Sequence, residues 1–139
     1  MSEESYPYNA IYAKRGDCKF DKKTATSCTI DSYSFADSGD AEMMKKALTH
    51  QPVSAVLNAA SPSFKLYKSG VYDDELCSVE SVDHAVVLVG FGSEDGEDYW
   101  IVKNSWGADW GEEGFIRMAV KPGDGICGVQ TGASWVVLN

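Results

Sequence analysis

Two apolar segments joined by a short polar loop constrain the fold of this chain more than any other feature. Residues 82–91 are rich in valine, and residues 99–103 form a second run of aromatic and β-branched side chains. The intervening residues, 92–98, are glycines, a serine and acidic residues. Such runs, bounded by turn residues, are typical of strands in an antiparallel hairpin. Two further strands are predicted at 114–120 and 135–138, so the second half is expected to be an antiparallel β unit.

The first half of the chain contains signals for two short helices. Asp40 is placed to cap the first helix, which ends before Pro52. Residues 53–57 follow as a short buried strand, and residues 62–70, which begin with proline and end with glycine, are predicted to form the second helix. Residues 1–35 show no periodic apolar face and are expected to be irregular, with short β-favouring pieces that include residues 24–35. Together these elements predict an α+β fold with two short helices.

The composition is that of one globular domain and excludes several classes of function. The chain has 139 residues, of which 44% are hydrophobic, and 12 basic against 21 acidic side chains give a net charge of −9. An acidic chain without a Lys/Arg stripe is not expected to bind nucleic acid. The longest apolar run, residues 85–92, is too short to span a membrane. The start of the sequence lacks a signal peptide, so the chain is expected to be cytosolic or to have lost its targeting segment.

Four scattered cysteines indicate the compartment. Cys18, Cys28, Cys77 and Cys127 include no C-x-x-C pair, so the spacing of a zinc site is absent and no metal is expected. Disulfide bonds are the better interpretation. Persistent disulfides are rare in the cytosol, which favours an oxidising or lysosomal-type compartment.

The hairpin predicts that a histidine and an asparagine face each other. If its turn is centred near Glu94, His84 lies directly opposite Asn104, within reach of one hydrogen bond. An asparagine oxygen can hold one imidazole nitrogen as a donor and leave the other to exchange a proton with a nucleophile. Trp106 and Trp110 follow closely, and an indole could keep water from this bond. The alternative interpretation is a strand-end histidine beside two core tryptophans.

Several segments closely resemble the second half of the papain-like cysteine peptidases, the family of papain and cathepsin L. The resemblance implies a papain-like α+β fold, in which residues 36–139 form the antiparallel, β-rich half-barrel domain. Residues 1–35 resemble a surface segment from the end of a helical domain that is otherwise absent. The matching segments are residues 2–8, 18–20, 51–54, 64–70, 82–86 (Val-Asp-His-Ala-Val), 89–92, 99–107 (Tyr-Trp-Ile-Val-Lys-Asn-Ser-Trp-Gly), 110–111, 114–117 and 127–128.

The resemblance assigns roles to the residues around the predicted pair. His84 matches the catalytic histidine, Asn104 its orienting asparagine, and Trp106 the indole that shields their bond. Asp83 matches an acidic residue that supports the catalytic histidine electrostatically in the family. The alternative is that Asp83 is only a solvated acidic side chain. The substrate-binding positions are Trp110, which matches the aromatic wall on the leaving-group side, and Val56, Val82, Ala85 and Gly132, which match the lining of the S2 pocket and suggest an apolar P2 side chain.

The cysteines match the family only in part. The resemblance pairs Cys77 with Cys127 in a disulfide. Cys18 matches a cysteine whose partner lies outside this chain, and it is therefore free or joined to Cys28. The family's C-G-[SA]-C-[WY] segment, which carries the nucleophile, is absent from the sequence. None of the four cysteines matches that nucleophile.

The resemblance therefore implies a C-terminal portion of a peptidase that hydrolyses peptide bonds through a Cys-His-Asn site, with the cysteine outside this chain. The isolated chain is expected to be inactive. A non-catalytic peptide- or inhibitor-binding relative and an incomplete fragment are the alternatives. Expected partners are peptide or protein substrates, an N-terminal chain or segment that bears the cysteine, and protein inhibitors, with no cofactor. The expected location is the lysosome or vacuole, or outside the cell.

Overall fold

The predicted α+β architecture is confirmed. A computed structural model describes residues 1–2, 4–8, 16–25 and 29–138. Their strands form one sheet in the order β1-β7-β2-β4-β5-β6-β3, in which every neighbouring pair is antiparallel except β3 and β6. The elements are β1 (Ser32–Phe35), α1 (Ala41–Leu48), β2 (Val53–Leu57), α2 (Pro62–Lys65), β3 (Val71–Tyr72), β4 (His84–Glu94), β5 (Glu97–Lys103), β6 (Phe115–Ala119) and β7 (Ser134–Val137), with a 3-10 turn at Ile126–Gly128.

The two helices begin where the sequence predicts, but the second is shorter than predicted. Asp40 caps α1 by accepting a hydrogen bond from the Met43 backbone N–H at 2.9 Å. α2 begins at Pro62 but ends at Lys65, not near Gly70. The Gly70 N–H donates to the Glu112 carboxylate at 2.9 Å instead of continuing a helix. A distant side chain therefore determines how this segment continues.

The hairpin of β4 and β5 has a different register from the one predicted. Its turn is the pair Asp95 and Gly96, whose φ angles of 53° and 87° are both left-handed, as a two-residue hairpin turn requires. A β-bulge between Leu88 and Gly90 then shifts the register by one residue. The prediction that His84 and Asn104 are directly opposed in the ladder is therefore wrong, because it placed the turn too early and contained no bulge.

The two faces of the sheet have different surroundings. On one face of β2 and β4, Leu57 and Leu88 are completely buried in the core. The opposite face, here called the outer face, has a row of side chains aligned across five strands. Its members, in register, are Phe35, Ser134, Ser54, Val87 and Lys103. Phe35 is 63% exposed and Val87 36% exposed, whereas Ser134, Ser54 and Lys103 are polar, so the outer face is a mixed apolar and polar surface that leaves large apolar side chains exposed among the described residues.

The predicted disulfide is present. Cys77, in the loop after β3, is bonded to Cys127, in the 3-10 turn before β7. Both residues are buried. The bond joins the segment that leads into His84 to the segment that leads to Gly132. Cys18 is exposed and forms no disulfide with another described residue, and Cys28 lies outside the described residues, so a Cys18–Cys28 bond stays a prediction.

Candidate active site

The predicted hydrogen bond between His84 and Asn104 is present despite the different register. His84 is the first residue of β4 and has Leu57 of β2 as its ladder partner. Asn104 follows the last residue of β5 and is buried. His84 Nε2 lies 2.8 Å from Asn104 Oδ1. The side chains meet because both residues lie where neighbouring strands begin or end, although they are not a ladder pair.

A backbone group determines which atoms of this pair donate and accept. The Ser105 N–H donates to Asn104 Oδ1 at 2.7 Å. Because a backbone N–H can only donate, the amide atom that faces it is oxygen. The same oxygen must then accept from His84 Nε2, which carries a proton. The other ring nitrogen, Nδ1, is left to accept or release a proton elsewhere, which is the arrangement that a general acid and base needs.

The Asn104 amide nitrogen has a different environment. Nδ2 is buried and has no hydrogen-bond partner among the residues that the structure describes. An unsatisfied buried donor of this kind reduces stability by about 1–3 kcal/mol. The asparagine is therefore held through its oxygen, by Ser105 and His84.

Four aromatic rings form a wall beside the pair. The Trp106 ring lies 5.0 Å from the His84 ring, and Trp110 lies 5.3 Å from Trp106. Phe64 contacts both indoles, with ring centroids at 5.6 Å and 5.3 Å. The fourth ring, Tyr67, lies 5.7 Å from Trp110. These four residues, Phe64, Tyr67, Trp106 and Trp110, are called the aromatic wall below.

The sequence offered two interpretations of the tryptophans: an indole that keeps water from the His84–Asn104 bond, and a core residue. Trp106 fits the first and Trp110 the second. Trp110 is only 8% exposed and donates from Nε1 to the Lys65 carbonyl at 3.1 Å, as a core tryptophan does. Trp106 is 39% exposed and covers one side of His84. Trp106 therefore limits access of water to the imidazole, whereas Trp110 supports Trp106 from behind.

Asp83 is not merely a solvated acidic residue. Its Oδ1 accepts the Ala59 N–H at 2.8 Å, and its own N–H donates to the Leu57 carbonyl at 3.1 Å. These two bonds hold the residue before His84 against the end of β2. Asp83 thus limits movement of the backbone from which the histidine projects.

Three of the apolar positions predicted from the resemblance, Val56, Ala85 and Gly132, come together at the outer face. Val56 and Ala85 are ladder partners in β2 and β4. A Cβ atom placed on Gly132 would lie 2.8 Å from Val56 Cγ2, so these residues are in direct proximity. Val82 lies beside the preceding turn, with Cγ1 3.4 Å from a Cβ placed on Gly128. His84 points to the other face of the sheet at the same strand end, so this apolar cluster and the aromatic wall flank it on different sides.

The sequence assigned no role at the site to two residues, Phe64 and Glu112. Phe64 gave no signal beyond being apolar in a short helix, and its contacts with the tryptophans are more than 40 residues distant in sequence. Glu112 accepts hydrogen bonds from the Gly70 N–H and from Arg117. Arg117 lies five residues further along the chain, a spacing that no local sequence rule would single out. Neither contact has a local pattern that would reveal it.

The described residues show neither a metal centre nor a membrane span. No group of three or more histidine, cysteine or acidic side chains in this part of the chain could hold a metal ion. Within the same described ranges, no helix is long and apolar enough to cross a bilayer.

Comparisons with known proteins agree on one family. The profile "Papain family cysteine protease" matches residues 1–137. The chain is 49% identical over 138 residues to "Cathepsin L-like" from Caenorhabditis elegans, covering 96% of this chain and 39% of that protein. It is 41% identical over 140 residues to "Cysteine proteinase RD21A" from Arabidopsis thaliana, covering 99% of this chain and 29% of that protein.

A solved structure supports the fold independently. The bromelain protease from Ananas comosus, in complex with the E64 inhibitor, superimposes with a TM-score of 0.87 at 38% identity. The match covers 99% of this chain and 62% of the bromelain chain. The chain thus has a papain-like fold and spans only about a third of the length of its curated relatives. It belongs to the papain family of cysteine proteases.

Proposed function

We propose that this chain is the C-terminal portion of a cysteine peptidase and supplies the histidine and asparagine of a Cys-His-Asn site. The observation that carries the proposal is the hydrogen bond from His84 Nε2 to Asn104 Oδ1, with the oxygen identified by the Ser105 N–H. This bond leaves Nδ1 for a thiol supplied from outside the chain. The sulfurs of Cys77 and Cys127 are joined in a disulfide and are not nucleophiles.

The chemistry follows from the free ring nitrogen. His84 Nδ1 takes the thiol proton, and the resulting thiolate attacks the peptide carbonyl carbon. When the C–N bond breaks, the imidazolium returns that proton to the leaving amine and an acyl-enzyme remains. Nδ1 then removes a proton from water, the oxygen attacks the thioester, and the thiol is released with its proton. Asn104 orients the ring in each step without adding a negative charge that would compete with the thiolate.

The exposed outer face is the basis for inferring that the complete protein has an additional part, which covers this face. Its aligned residues include Phe35 and Val87, two exposed apolar side chains that a covering segment would remove from water. The relatives are about three times longer than the chain, and bromelain also extends beyond the match. We assign the face to an N-terminal chain or segment that bears the cysteine. Residues 1–35 would then adjoin that part, with residues 36–139 as the β-rich domain.

Peptide and protein substrates and protein inhibitors are the partners that fit this function. The buried disulfide fits an oxidising compartment, and a lysosomal, vacuolar or extracellular location is proposed with it. The cathepsin L-like relative supports the same assignment at the level of the family.

Hydrolysis of a fluorogenic dipeptide substrate tests the function. The complete protein, with its nucleophile-bearing part, is expected to cleave the substrate and to lose all activity after E64 treatment. The isolated 139-residue chain is expected to show no turnover and no labelling by E64. Turnover by the isolated chain would contradict the proposed location of the cysteine. A complete protein that binds peptides but neither cleaves them nor reacts with E64 would identify the non-catalytic alternative.

Gly132 provides a prediction about substrate choice. A Cβ at this position would lie 2.8 Å from Val56 Cγ2, so Gly132→Ala would displace Val56 into the space of the apolar cluster. We expect kcat/KM for a substrate with leucine or phenylalanine at P2 to fall about tenfold relative to one with valine. Competition assays with paired P2 substrates would measure the ratio.

The matched control for this prediction is Gly16→Ala. A Cβ at Gly16 meets no atom of the described residues within 4 Å, and the Gly16 backbone is not left-handed. The control should keep the parent ratio between the two substrates. An unchanged ratio in Gly132→Ala would remove this position from the substrate-binding surface.

A further inference from the structure

One carboxylate outside the proposed catalytic pair joins three separate segments. Glu112 Oε1 accepts the Gly70 N–H at 2.9 Å and Arg117 Nη2 at 2.8 Å. Its Oε2 accepts Arg117 Nε at 3.0 Å. The carboxylate is only 28% exposed, and its fork-like pairing with the guanidinium is the strongest geometry available to these groups. Glu112 thus fixes the loop that contains it, the turn after α2 and strand β6 relative to one another.

Each segment that Glu112 joins is connected to the aromatic wall. The loop from residue 105 to residue 114 carries Trp106 and Trp110. The turn at Gly70 belongs to the segment that carries Phe64 and Tyr67, and the Tyr67 hydroxyl donates to the Gly70 carbonyl at 2.6 Å. The two halves of the wall therefore come from segments that are separated in sequence. Their direct polar connections include the Glu112–Gly70 bond and the bond from Trp110 Nε1 to the Lys65 carbonyl.

The loop that carries the tryptophans is otherwise tied mainly to itself. The Gly114 N–H donates to the Trp110 carbonyl at 2.8 Å, and the Asn104 N–H donates to the Gly114 carbonyl at 3.0 Å. These bonds close the loop at its base. They do not connect it to the segment of Phe64. Release of the Glu112 carboxylate would thus remove one of the two named bonds that hold the loop to the segment of Phe64 and Tyr67, and leave the Trp110–Lys65 bond and the ring contacts.

We infer that Glu112 is a positioning residue for the proposed catalytic pair: it holds Trp106 against His84 by locking the two halves of the aromatic wall. This inference rests on the proposed function, because it concerns the imidazole of that site. Glu112 does not contact His84 or the reacting atoms. Its influence passes through Trp110 and Trp106 to the His84–Asn104 hydrogen bond, whose exposure to water depends on the position of the Trp106 indole.

The charge of Glu112 is preserved under acidic conditions. Hydrogen bonding from Arg117 lowers the pKa of the Glu112 carboxyl below its ordinary value, and the Gly70 N–H acts in the same direction. A carboxyl whose folded-state pKa is lowered contributes stability above its unfolded pKa, and this contribution is lost as the pH falls through the folded pKa. The bonds of the Glu112 carboxylate to Arg117 and Gly70 therefore persist below the pH at which an ordinary glutamate would become neutral.

Proton exchange at His84 Nε2 tests the role directly. The complete peptidase is labelled with ¹⁵N-histidine, and the His84 signal is identified by its loss in His84→Ala. Glu112→Gln is expected to increase the exchange rate of the Nε2 proton with water about tenfold and to lower kcat by a similar factor, with little change in KM. Rates are expressed per active site titrated with E64, so that a loss of folded protein alone does not change them.

The matched control is Glu94→Gln, because Glu94 is the other carboxylate partner of Arg117 and does not bond Gly70. It should leave the exchange rate and kcat at parent values. Equal exchange rates in Glu112→Gln and Glu94→Gln would overturn the inference. If Glu112→Gln does not fold, Arg117→Lys replaces it as the test variant. Arg117→Lys keeps the positive charge but loses the paired hydrogen bonds of the guanidinium to the two Glu112 oxygens. It should show faster exchange than the parent, and parent-like exchange there would also overturn the inference.

The two proposals fail in distinguishable ways. A complete protein without peptidase activity in any variant would refute the proposed function. Faster proton exchange in Glu112→Gln would still support the positioning role, because that signal is independent of turnover. Full activity in Glu112→Gln and Arg117→Lys, with unchanged exchange at His84 in both, would refute the positioning role alone.

Discussion

Replacing His84 with alanine in the complete peptidase is expected to lower kcat by about 10⁴-fold or more, with the protein still folded. Loss of one member of a nucleophile–base unit removes nearly the whole contribution of that unit. His84 is the first residue of β4, and its side chain is tied to Asn104, so its removal leaves the strand pairing with β2 intact. Hydrolysis of a fluorogenic dipeptide, normalised to folded protein by circular dichroism, measures the change.

The chain offers a natural control in its second histidine. His50 is exposed, follows α1 and lies outside the proposed site. His50→Ala should keep kcat within about twofold of the parent, since exposed substitutions away from special contacts have small effects. A His84→Ala protein that retained a tenth or more of the parent activity would refute the assignment of the general acid and base.

The second large effect is expected on stability, from the Cys77–Cys127 disulfide. The bond closes a loop with a sequence separation of 50 residues. In the chain-entropy account, a cross-link of that length stabilises the fold by about 4 kcal/mol, chiefly by restricting the unfolded chain. The double replacement Cys77→Ser and Cys127→Ser in this chain should therefore lower the free energy of unfolding by about that amount. A fall in Tm of about 10–15 °C is the corresponding thermal effect.

Urea unfolding followed by tryptophan fluorescence measures this loss. Cys18→Ser is the matched control, because Cys18 is exposed and free among the described residues. It should change the free energy of unfolding by less than about 0.5 kcal/mol. A double variant as stable as this control would show that the disulfide does not contribute to the stability of the chain.

The sequence was sufficient to predict the main secondary structure and the central contact of the site. The caps and turn residues around α1 and the start of α2 are local signals, and the structure follows them at Asp40 and Pro62. The contact between His84 and Asn104 was also predicted, although from a register that is wrong. It survives the error because both residues lie at strand ends, where long side chains can reach across an offset of two residues, as diagonal neighbours in a ladder do.

Other features could not be predicted because they depend on contacts distant in sequence. The path of the chain after α2 is one such feature, since the Gly70 N–H is bonded to the Glu112 carboxylate, 42 residues further along the chain. The packing of Phe64 against Trp106 requires the finished sheet to bring the two segments together. The bulge at Val89 lies in an almost continuous apolar run, in which no glycine or polar residue marks the extra position before Gly90.

The bulge at Val89 has an evolutionary consequence. In a regular ladder, a change of one residue in the length of the hairpin tip would pass along both strands and turn His84 to the opposite face. The bulge already places the tip and the base of the hairpin in different registers. The loss or gain of one residue at the bulge would therefore restore the register of the base after a one-residue change at the tip. Lineages could therefore lengthen, shorten or recharge the tip around Asp95 and compensate at this single position.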